Sequence, residues 1–168
     1  MVESNEIDIG IVEGPVGNKN LVSKVCWDDE LVIVTPPGHP LTENPLSGVD
    51  ALLEYPFISR EEGSGTRNVI VDYLQSAGRD ISDLNLTMEF GSPESIKSAV
   101  VAGLGISILS IATLNKELEL GMLSKLSLDP PLTRPFSIVY QRQKFRLRAM
   151  DEFLEFTESH CGEKQAAK

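Results

Sequence analysis

Apolar and polar positions follow two different periods along this chain, and these periods predict strands and helices in turn. Short apolar or alternating runs bounded by Gly, Pro or Asp predict β-strands. These strands cover residues 7–12, 21–27, 31–35, 55–59, 84–90, 106–109, 123–128 and 136–140. Helical spacing predicts helices at residues 47–54, after Thr66, after Ser92, at 111–120 and at 148–159.

The two central helices have clear ends and clear apolar sides. Gly78 stops the first helix, while Ser92 followed by Pro93 begins the second. The first helix is predicted to bury Val69, Ile70, Tyr73, Leu74 and Ala77. The second is predicted to bury Ile96, Ala99 and Val100, with Gly103 as a further candidate.

Strands that alternate with helices predict an α/β protein with largely parallel sheets. Asp28, Asp29 and Glu30 predict a turn between two of the strands. Two proline pairs, at 36–37 and 130–131, divide the chain into three parts. We therefore predict lobe I at residues 1–36 and 133–168, and lobe II at 37–132, joined by two crossings. A cleft between such lobes is a natural ligand site and a natural hinge.

The most informative segment lies at residues 63–67, which read Gly-Ser-Gly-Thr-Arg between a buried strand and a helix. Ser64, Gly65 and Thr66 place hydroxyls and free backbone N–H groups at a helix start, where the helix dipole is positive. This arrangement predicts a site for a small anion or carboxylate. The alternative is ordinary helix capping, which uses the same residue types. Arg67 could steer an anion or could simply be solvated.

Four further residues are candidates for ligand contact, each with a structural alternative. Glu13 and Gly14 end what the pattern predicts to be a parallel strand, where α/β proteins bind ligands, or they form a plain turn. The Glu13 carboxylate would suit an amine group. Trp27, the single tryptophan, could wall a cleft or pack in the core. Ser92 could offer a hydroxyl to a ligand or cap its helix.

Composition narrows the classes of protein to which this chain can belong. The formal net charge is -10 for 168 residues, which disfavours nucleic-acid binding by the chain itself. The two cysteines, Cys26 and Cys161, show no metal or redox spacing, so we expect reduced thiols and a buried structural Cys26. No catalytic or cofactor motif occurs, which predicts a protein that is not an enzyme and uses no cofactor or metal.

The first residues do not form a signal peptide, since they lack a basic start and an apolar run. No stretch approaches the roughly 20 apolar residues of a membrane span. We therefore expect a soluble, cytoplasmic protein with no membrane partner.

Several ordered segments together resemble the effector-binding domain of LysR-type transcriptional regulators. They are DIGIV at 8–12, DELVIV at 29–34, GHPL at 38–41, GSGTR at 63–67, VVAGLGISIL at 100–109 and FSIVY at 136–140, followed by a closing helix with Phe153 and Leu154. Within the family, the chain looks closest to the branch that regulates cysteine and carbon-fixation genes. The resemblance implies a type 2 periplasmic-binding-protein-like fold, with two α/β lobes and an effector between them.

The family binds DNA through an N-terminal winged helix-turn-helix, which this sequence lacks. The first strand, first helix and second strand of lobe I are also missing, so lobe I is expected to be incomplete by about 60 residues. This loss would expose apolar sheet surface on Ile7, Ile9 and Ile11 and promote association.

The resemblance predicts an effector-sensing domain that binds a small anionic metabolite or an amino-acid-like effector. It would act as a homo-oligomer and reach DNA only through the absent domain. The effector would change the angle between the lobes and so the spacing of the DNA-binding domains. The main alternative is a solute-binding protein of a transport system with the same fold. A prephenate dehydratase is a weaker alternative, because that family follows its Thr-Arg pair with Phe where this chain has Asn68. A further alternative is that the incomplete domain binds no effector.

Overall fold

The computed structural model describes residues 1–13, 16–43, 49–142 and 148–166. The chain forms two compact units, one made of residues 1–29 and 134–168 and the other of residues 30–133. The strands are β1 (Ile9–Glu13), β2 (Leu21–Thr35), β3 (Pro56–Arg60), β4 (Asn85–Phe90), β5 (Ser107–Ser110), β6 (Ser124–Leu126) and β7 (Leu132–Gln141). The helices are α1 (Pro40–Glu43), α2 (Asp50–Leu53), α3 (Gly65–Ser76), α4 (Pro93–Val101), α5 (Asn115–Glu119) and α6 (Arg148–Ala166), with 3-10 turns at Ile81–Asp83 and Ile111–Thr113.

The unit of residues 1–29 and 134–168 is built on β1, β7, the first part of β2 and α6. Strand β1 pairs antiparallel with β7, from Ile9 opposite Tyr140 to Glu13 opposite Phe136, and β7 lies next to β2. One buried cluster forms its core and comprises Cys26, Ile138, Tyr140 and Leu154, with Ile9, Val22, Phe136, Met150 and Cys161 packed around it.

The unit of residues 30–133 holds the larger part of the buried apolar residues. Strands β3 and β4 pair in parallel, while the second part of β2 pairs antiparallel with β5 and β6. Helices α3 and α4 each bury one side, α3 through Ile70, Tyr73 and Leu74 and α4 through Ile96, Ala99 and Val100. These contacts confirm most of the predicted helix faces. Ala77 is exposed instead of buried, because it follows the last turn of α3.

The prediction of a turn at residues 28–30 is wrong, because β2 runs without a break from Leu21 to Thr35. The side chain of Asp29 is buried within this strand and forms an ion pair with Arg134, Nε to Oδ2 at 2.9 Å. Acidic residues end strands when their charge needs water. Here an arginine from another strand supplies the partner, so the strand continues.

The expectation of largely parallel sheets is also wrong. Pairs β1–β7, β2–β5 and β2–β6 are antiparallel, and among the paired strands of the described residues β3–β4 is parallel. Alternation of strands and helices does not determine strand direction when many residues separate two strands of the same sheet, because the chain can return to that sheet in either direction. Glu13 therefore ends an antiparallel strand, and the reason for placing a ligand at its end no longer holds.

Local helix signals proved reliable where the structure describes them. Ser92 caps α4, and Gly78 follows α3 with a positive φ of 72°. Helix α6 continues to Ala166, beyond its predicted end at residue 159. Within the predicted helix at 47–54, the structure shows α2 from Asp50 to Leu53, while residues 44–48 lie outside the described ranges. In the described parts of the chain, no helix has the length and apolar character needed to cross a bilayer.

Candidate functional site

The parallel pair β3–β4 places two helix starts at one edge of a sheet. The strands pair from Pro56 opposite Asn85 to Arg60 opposite Phe90, with a register shift between Phe57 and Ile58, and each is followed by a short loop and a helix. The Glu61 N–H donates to the Phe90 carbonyl at 3.2 Å and joins the two loops. Helices α3 and α4 therefore both begin at the carboxyl edge of this pair, which is where α/β proteins hold anionic groups.

The first turn of α3 carries the predicted site residues Ser64, Gly65 and Thr66. Ser64 is the N-cap residue, with an extended backbone (ψ 134°), yet its hydroxyl accepts no hydrogen bond from the helix. Ser64 and Thr66 are both buried residues, each 7% exposed. The Asn68 N–H donates to the Ser64 carbonyl at 3.0 Å and closes the first α-helical turn, so the N–H groups of residues 65–67 precede the α-helical hydrogen bonds.

Two arginines beside this turn are paired with carboxylates. Arg60 binds Glu61 through two hydrogen bonds, Nε to Oε2 at 2.8 Å and Nη2 to Oε1 at 2.9 Å. These bonds lower the pKa of Glu61. Arg67 donates to the Arg60 carbonyl at 2.9 Å and forms an ion pair with Glu89. Arg67 is therefore held against the protein, so the solvated alternative is wrong, and its charge is already balanced.

Ser92 uses its hydroxyl within its own helix. The Ser95 N–H donates to Ser92 Oγ at 3.2 Å, and the two hydroxyl oxygens are 3.0 Å apart. The capping interpretation is confirmed by this geometry. A contact between Ser92 and a ligand stays a prediction.

Glu13 and Trp27 belong to the unit of residues 1–29 and 134–168, where they border a buried charge cluster. Arg134, 8% exposed, forms ion pairs with Glu13 and with Asp29, which is 1% exposed. The Arg134 guanidinium lies 5.3 Å from the centre of the Phe136 ring, and Trp27 stacks on that ring at 4.9 Å and 26°. Trp27 is 39% exposed, so core packing does not describe it.

This cluster changes the interpretation of Glu13. Its carboxylate is used by Arg134, so it is not a free acceptor for a ligand amine. Gly14, the neighbouring candidate, lies outside the described residues.

Sequence reasoning missed Asp29 and Arg134, whose ion pair is buried, with side chains 1% and 8% exposed. One signal was available for Asp29. It is in phase with Leu31 and Ile33, the apolar residues of the same strand, so a period of two places it on the buried face. No local signal identifies Arg134 as its partner, because the two residues are 105 positions apart.

A surface cavity of about 490 Å³ lies at the opposite end of α3 from Ser64. The Tyr73 hydroxyl donates to the Asp129 carbonyl at 3.5 Å there, and Arg79 forms an ion pair with Asp50 at 2.9 Å. Burial raises the pKa of Tyr73. None of the predicted site residues lines this cavity, which is bordered by Val49, Asp50, Tyr73, Ser76, Ala77, Arg79, Asp129 and Pro130. The described residues contain no group of three or more His, Cys, Asp or Glu side chains placed to hold a metal ion.

Comparison with known proteins matches residues 1–162 to the LysR substrate binding domain. The Escherichia coli HTH-type transcriptional regulator YeiE is 38% identical over 151 residues, which cover 89% of this chain and 50% of that protein. The Allochromatium vinosum RuBisCO operon transcriptional regulator is 34% identical over 167 residues, covering 96% of this chain and 54% of that protein. The chain thus spans about half the length of the curated relatives it matches.

Among solved structures, the Synechocystis PCC6803 CcmR regulatory domain in complex with 2-PG has a TM-score of 0.82 and is 30% identical. The match covers 95% of this chain and 76% of that one. The expected type 2 periplasmic-binding-protein-like fold is confirmed by these likenesses, as is the resemblance noted in the sequence. This chain belongs to the LysR substrate-binding domain family.

Proposed function

We propose that this chain is the effector-sensing part of a LysR-type transcriptional regulator. The observation that carries the proposal is its family match across residues 1–162, together with 30% identity to a regulatory domain solved with a small ligand. DNA binding would come from a segment of the regulator other than this acidic chain, whose net charge of -10 repels phosphates. The regulator names of the relatives favour this function over a transport role or catalysis.

The proposed effector site is the first turn of α3. Ser64 and Thr66 are both buried residues, and they bring two hydroxyls to a helix start, where backbone N–H groups precede the first α-helical hydrogen bond. The Ser64 hydroxyl is not used for capping, in contrast to that of Ser92, so it can bond a ligand without loss to the helix. A bound carboxylate or phosphate would take the place that a capping side chain usually has.

Charge around the turn bears on the class of effector. Arg60 and Arg67 are each paired with a carboxylate, so an anion would be held chiefly by N–H and hydroxyl donors rather than by a free cation. Donors of this kind suit a compact anion such as a carboxylate. Glu61 and Glu89 are the carboxylates of these same pairs, so the charges beside the turn balance and are compatible with a simple anion or with an effector that also carries an ammonium group. We therefore propose a small anionic metabolite or an amino-acid-like effector.

Isothermal titration calorimetry with 2-PG, other small carboxylates and a set of amino acids tests the site. We expect one of these classes to bind and the double variant Ser64→Ala with Thr66→Val to weaken its binding at least tenfold. Ser76→Ala is the matched control, because Ser76 lies at the other end of the same helix and lines the separate cavity. Loss of binding in the control and not in the double variant would place the effector in that cavity and overturn the proposed site.

Trp27 allows a second measurement, since it is the one tryptophan of the chain and is half-exposed. If Trp27 contacts the effector as predicted, binding should change the tryptophan emission. Trp27→Phe should then lower the affinity while keeping the stacking on Phe136. An unchanged emission spectrum at saturating effector would remove Trp27 from the site.

The regulatory role is tested separately from effector binding. The DNA that precedes the codon for Met1 should encode, in frame, a helix-turn-helix region. The complete regulator should then bind its promoter with a salt-dependent affinity that the effector changes. An export signal in that position would instead support the transport alternative.

We further propose that the chain associates with copies of itself. Ile11 on β1 and Val25 on β2 are each 59% exposed, and Ile7 is also exposed in the same unit. Apolar side chains that remain in water favour contact with a second apolar surface. This proposal is independent of the effector site.

A further inference from the structure

The two cysteines of this chain, distant in the sequence, meet in the fold. Cys26 lies in β2 and is buried, while Cys161 lies in α6 and is half-buried. Both belong to the apolar cluster around Ile138, Tyr140 and Leu154. Neither is bonded to another cysteine, so the cluster holds two thiols rather than a disulfide.

The two thiols are neighbours within this cluster. Cys161 lies near enough to act on the titration of Cys26, and Cys26 Sγ lies 3.3 Å from the Phe136 carbonyl oxygen, to which it donates. Burial, and then the neighbouring Cys161, raise the pKa of Cys26. Cys26 is therefore a protonated thiol that is shielded from solvent, with a more accessible thiol beside it.

We propose that Cys26 and Cys161 are a redox-modification site that closes to an intramolecular disulfide and joins α6 to β2. The oxidant class is a hydroperoxide, with hydrogen peroxide as the simplest member. Two thiols packed in one apolar cluster can reach the S–S length of about 2.05 Å through side-chain movement within that cluster. The cross-link would join a strand and a helix that the sequence separates widely.

The accessible thiol reacts first. The Cys161 thiolate attacks one peroxide oxygen, the O–O bond breaks, and the departing hydroxide takes up the thiol proton to leave as water. Cys161 is then a sulfenic acid. The Cys26 sulfur attacks the sulfenic sulfur, the S–O bond breaks, and a second water leaves with the Cys26 proton. Two thiols lose two electrons and two protons to one hydrogen peroxide, which becomes two waters.

The apolar surroundings explain why oxidation of the two thiols would end at the disulfide and would not continue to sulfinic or sulfonic acid. Cys26 is too buried and too weakly acidic to attack peroxide itself, so it remains available as the resolving thiol. Its contact with Cys161 makes condensation faster than a second oxidation of the sulfenic acid. A thiol reductant restores both cysteines by exchange.

Peptide mapping of the whole chain tests the proposal. The reduced protein is treated with hydrogen peroxide, alkylated and digested without reductant. We expect a linked peptide pair containing Cys26 and Cys161, an intact mass lower by two hydrogen atoms, and return of both thiols with dithiothreitol. Detection of only sulfinic or sulfonic acid, or of disulfides only between chains on a non-reducing gel, would overturn the proposal.

Single variants separate the two roles. Cys26→Ala should leave a sulfenic acid at Cys161 that dimedone traps, whereas Cys161→Ser should leave Cys26 unmodified under the same treatment. Circular dichroism establishes that each variant is folded. If Cys26→Ala is unstable, the peptide map of the wild-type protein still tests the disulfide, because it uses neither variant. Modification of Cys26 in the Cys161→Ser protein at the wild-type rate would contradict the proposed order.

Discussion

Arg134 donates through Nε to Asp29 Oδ2 at 2.9 Å, and this buried pair joins strands that are far apart in the sequence. Asp29 is the middle one of three consecutive acidic residues from which the sequence pattern predicted a turn. Because Arg134 neutralises it within the sheet, β2 continues through it, and Glu13 is drawn to the same guanidinium. Arg134 thus determines two features: β2 continues through Asp29, and the Glu13 carboxylate is not available to a ligand.

Replacing Arg134 by methionine should destabilise the protein strongly. The change keeps a long apolar stem over Phe136 but leaves the Asp29 carboxylate buried without its partner, at a cost of about 3–5 kcal/mol. Urea unfolding followed by circular dichroism measures the free energy of unfolding. Arg148→Met is the matched control, because Arg148 makes an exposed pair with Glu152 and its loss should change little. Equal unfolding midpoints for the two variants would contradict the assignment.

Gly105→Ala should weaken the contact between β3 and the strand entered at Ile106. A Cβ at residue 105 would lie 2.5 Å from the Pro56 carbonyl oxygen, which accepts the Ile106 N–H at 2.8 Å. Because backbone must move to admit the methyl group, we expect a loss of about 1–3 kcal/mol in the free energy of unfolding. Gly91→Ala provides the control, since nothing lies within 4 Å of its Cβ position. The prediction fails if both alanines are tolerated equally.

The ion pair between Lys97 and Glu117 should make stability depend on pH. Lys97 Nζ lies 3.0 Å from Glu117 Oε1 and also bonds the Thr113 carbonyl, so it joins α4 to the segment that leads into α5. The hydrogen bond from Lys97 lowers the pKa of Glu117 below its ordinary value of 4.5. A carboxyl group whose pKa is lowered by folding stabilises the folded state at every pH above its ordinary pKa. This stabilisation is lost as the pH falls through the lowered pKa.

Urea midpoints measured from neutral to acidic pH check this relationship. Lys97→Met should cost about 1.5–3 kcal/mol at neutral pH and flatten the acid-side loss of stability. Lys125→Met, an exposed change on β6, should leave the pH profile unchanged. If the urea midpoint falls equally steeply with decreasing pH in the wild type and in Lys97→Met, the Lys97–Glu117 pair is not the cause of the acid-side loss of stability.

Ile11→Lys should reduce association of the chain. Ile11 is exposed on β1, so lysine is accommodated without loss of core packing, while its charge must be desolvated in any apolar contact. Light scattering after size exclusion should show at least a tenfold weaker association. Val101→Lys, an exposed change on α4 in the other unit, is the control. If Val101→Lys dissociates the protein and Ile11→Lys does not, the contact surface is elsewhere.

The sequence by itself determined the features that depend on neighbouring residues. It located α4, because Ser92 and Pro93 act within one helical turn, and it stopped α3, because Gly78 takes a positive φ that other residues avoid. It also placed Ser64, Gly65 and Thr66 at the start of α3, since the glycines and hydroxyls that begin a helix are adjacent in the chain. The ordered set of short segments identified the family across nearly the whole chain.

Only the tertiary structure decided what depends on residues that meet across the fold. The Asp29–Arg134 pair spans 105 positions, and no local pattern reveals which cation will neutralise a buried acid. Strand direction, the pairing of Arg67 with Glu89 and the meeting of Cys26 with Cys161 likewise follow from the path of the chain between distant segments. Local propensities act over one turn of helix, whereas charge pairing and thiol contact depend on distances that only the folded backbone sets.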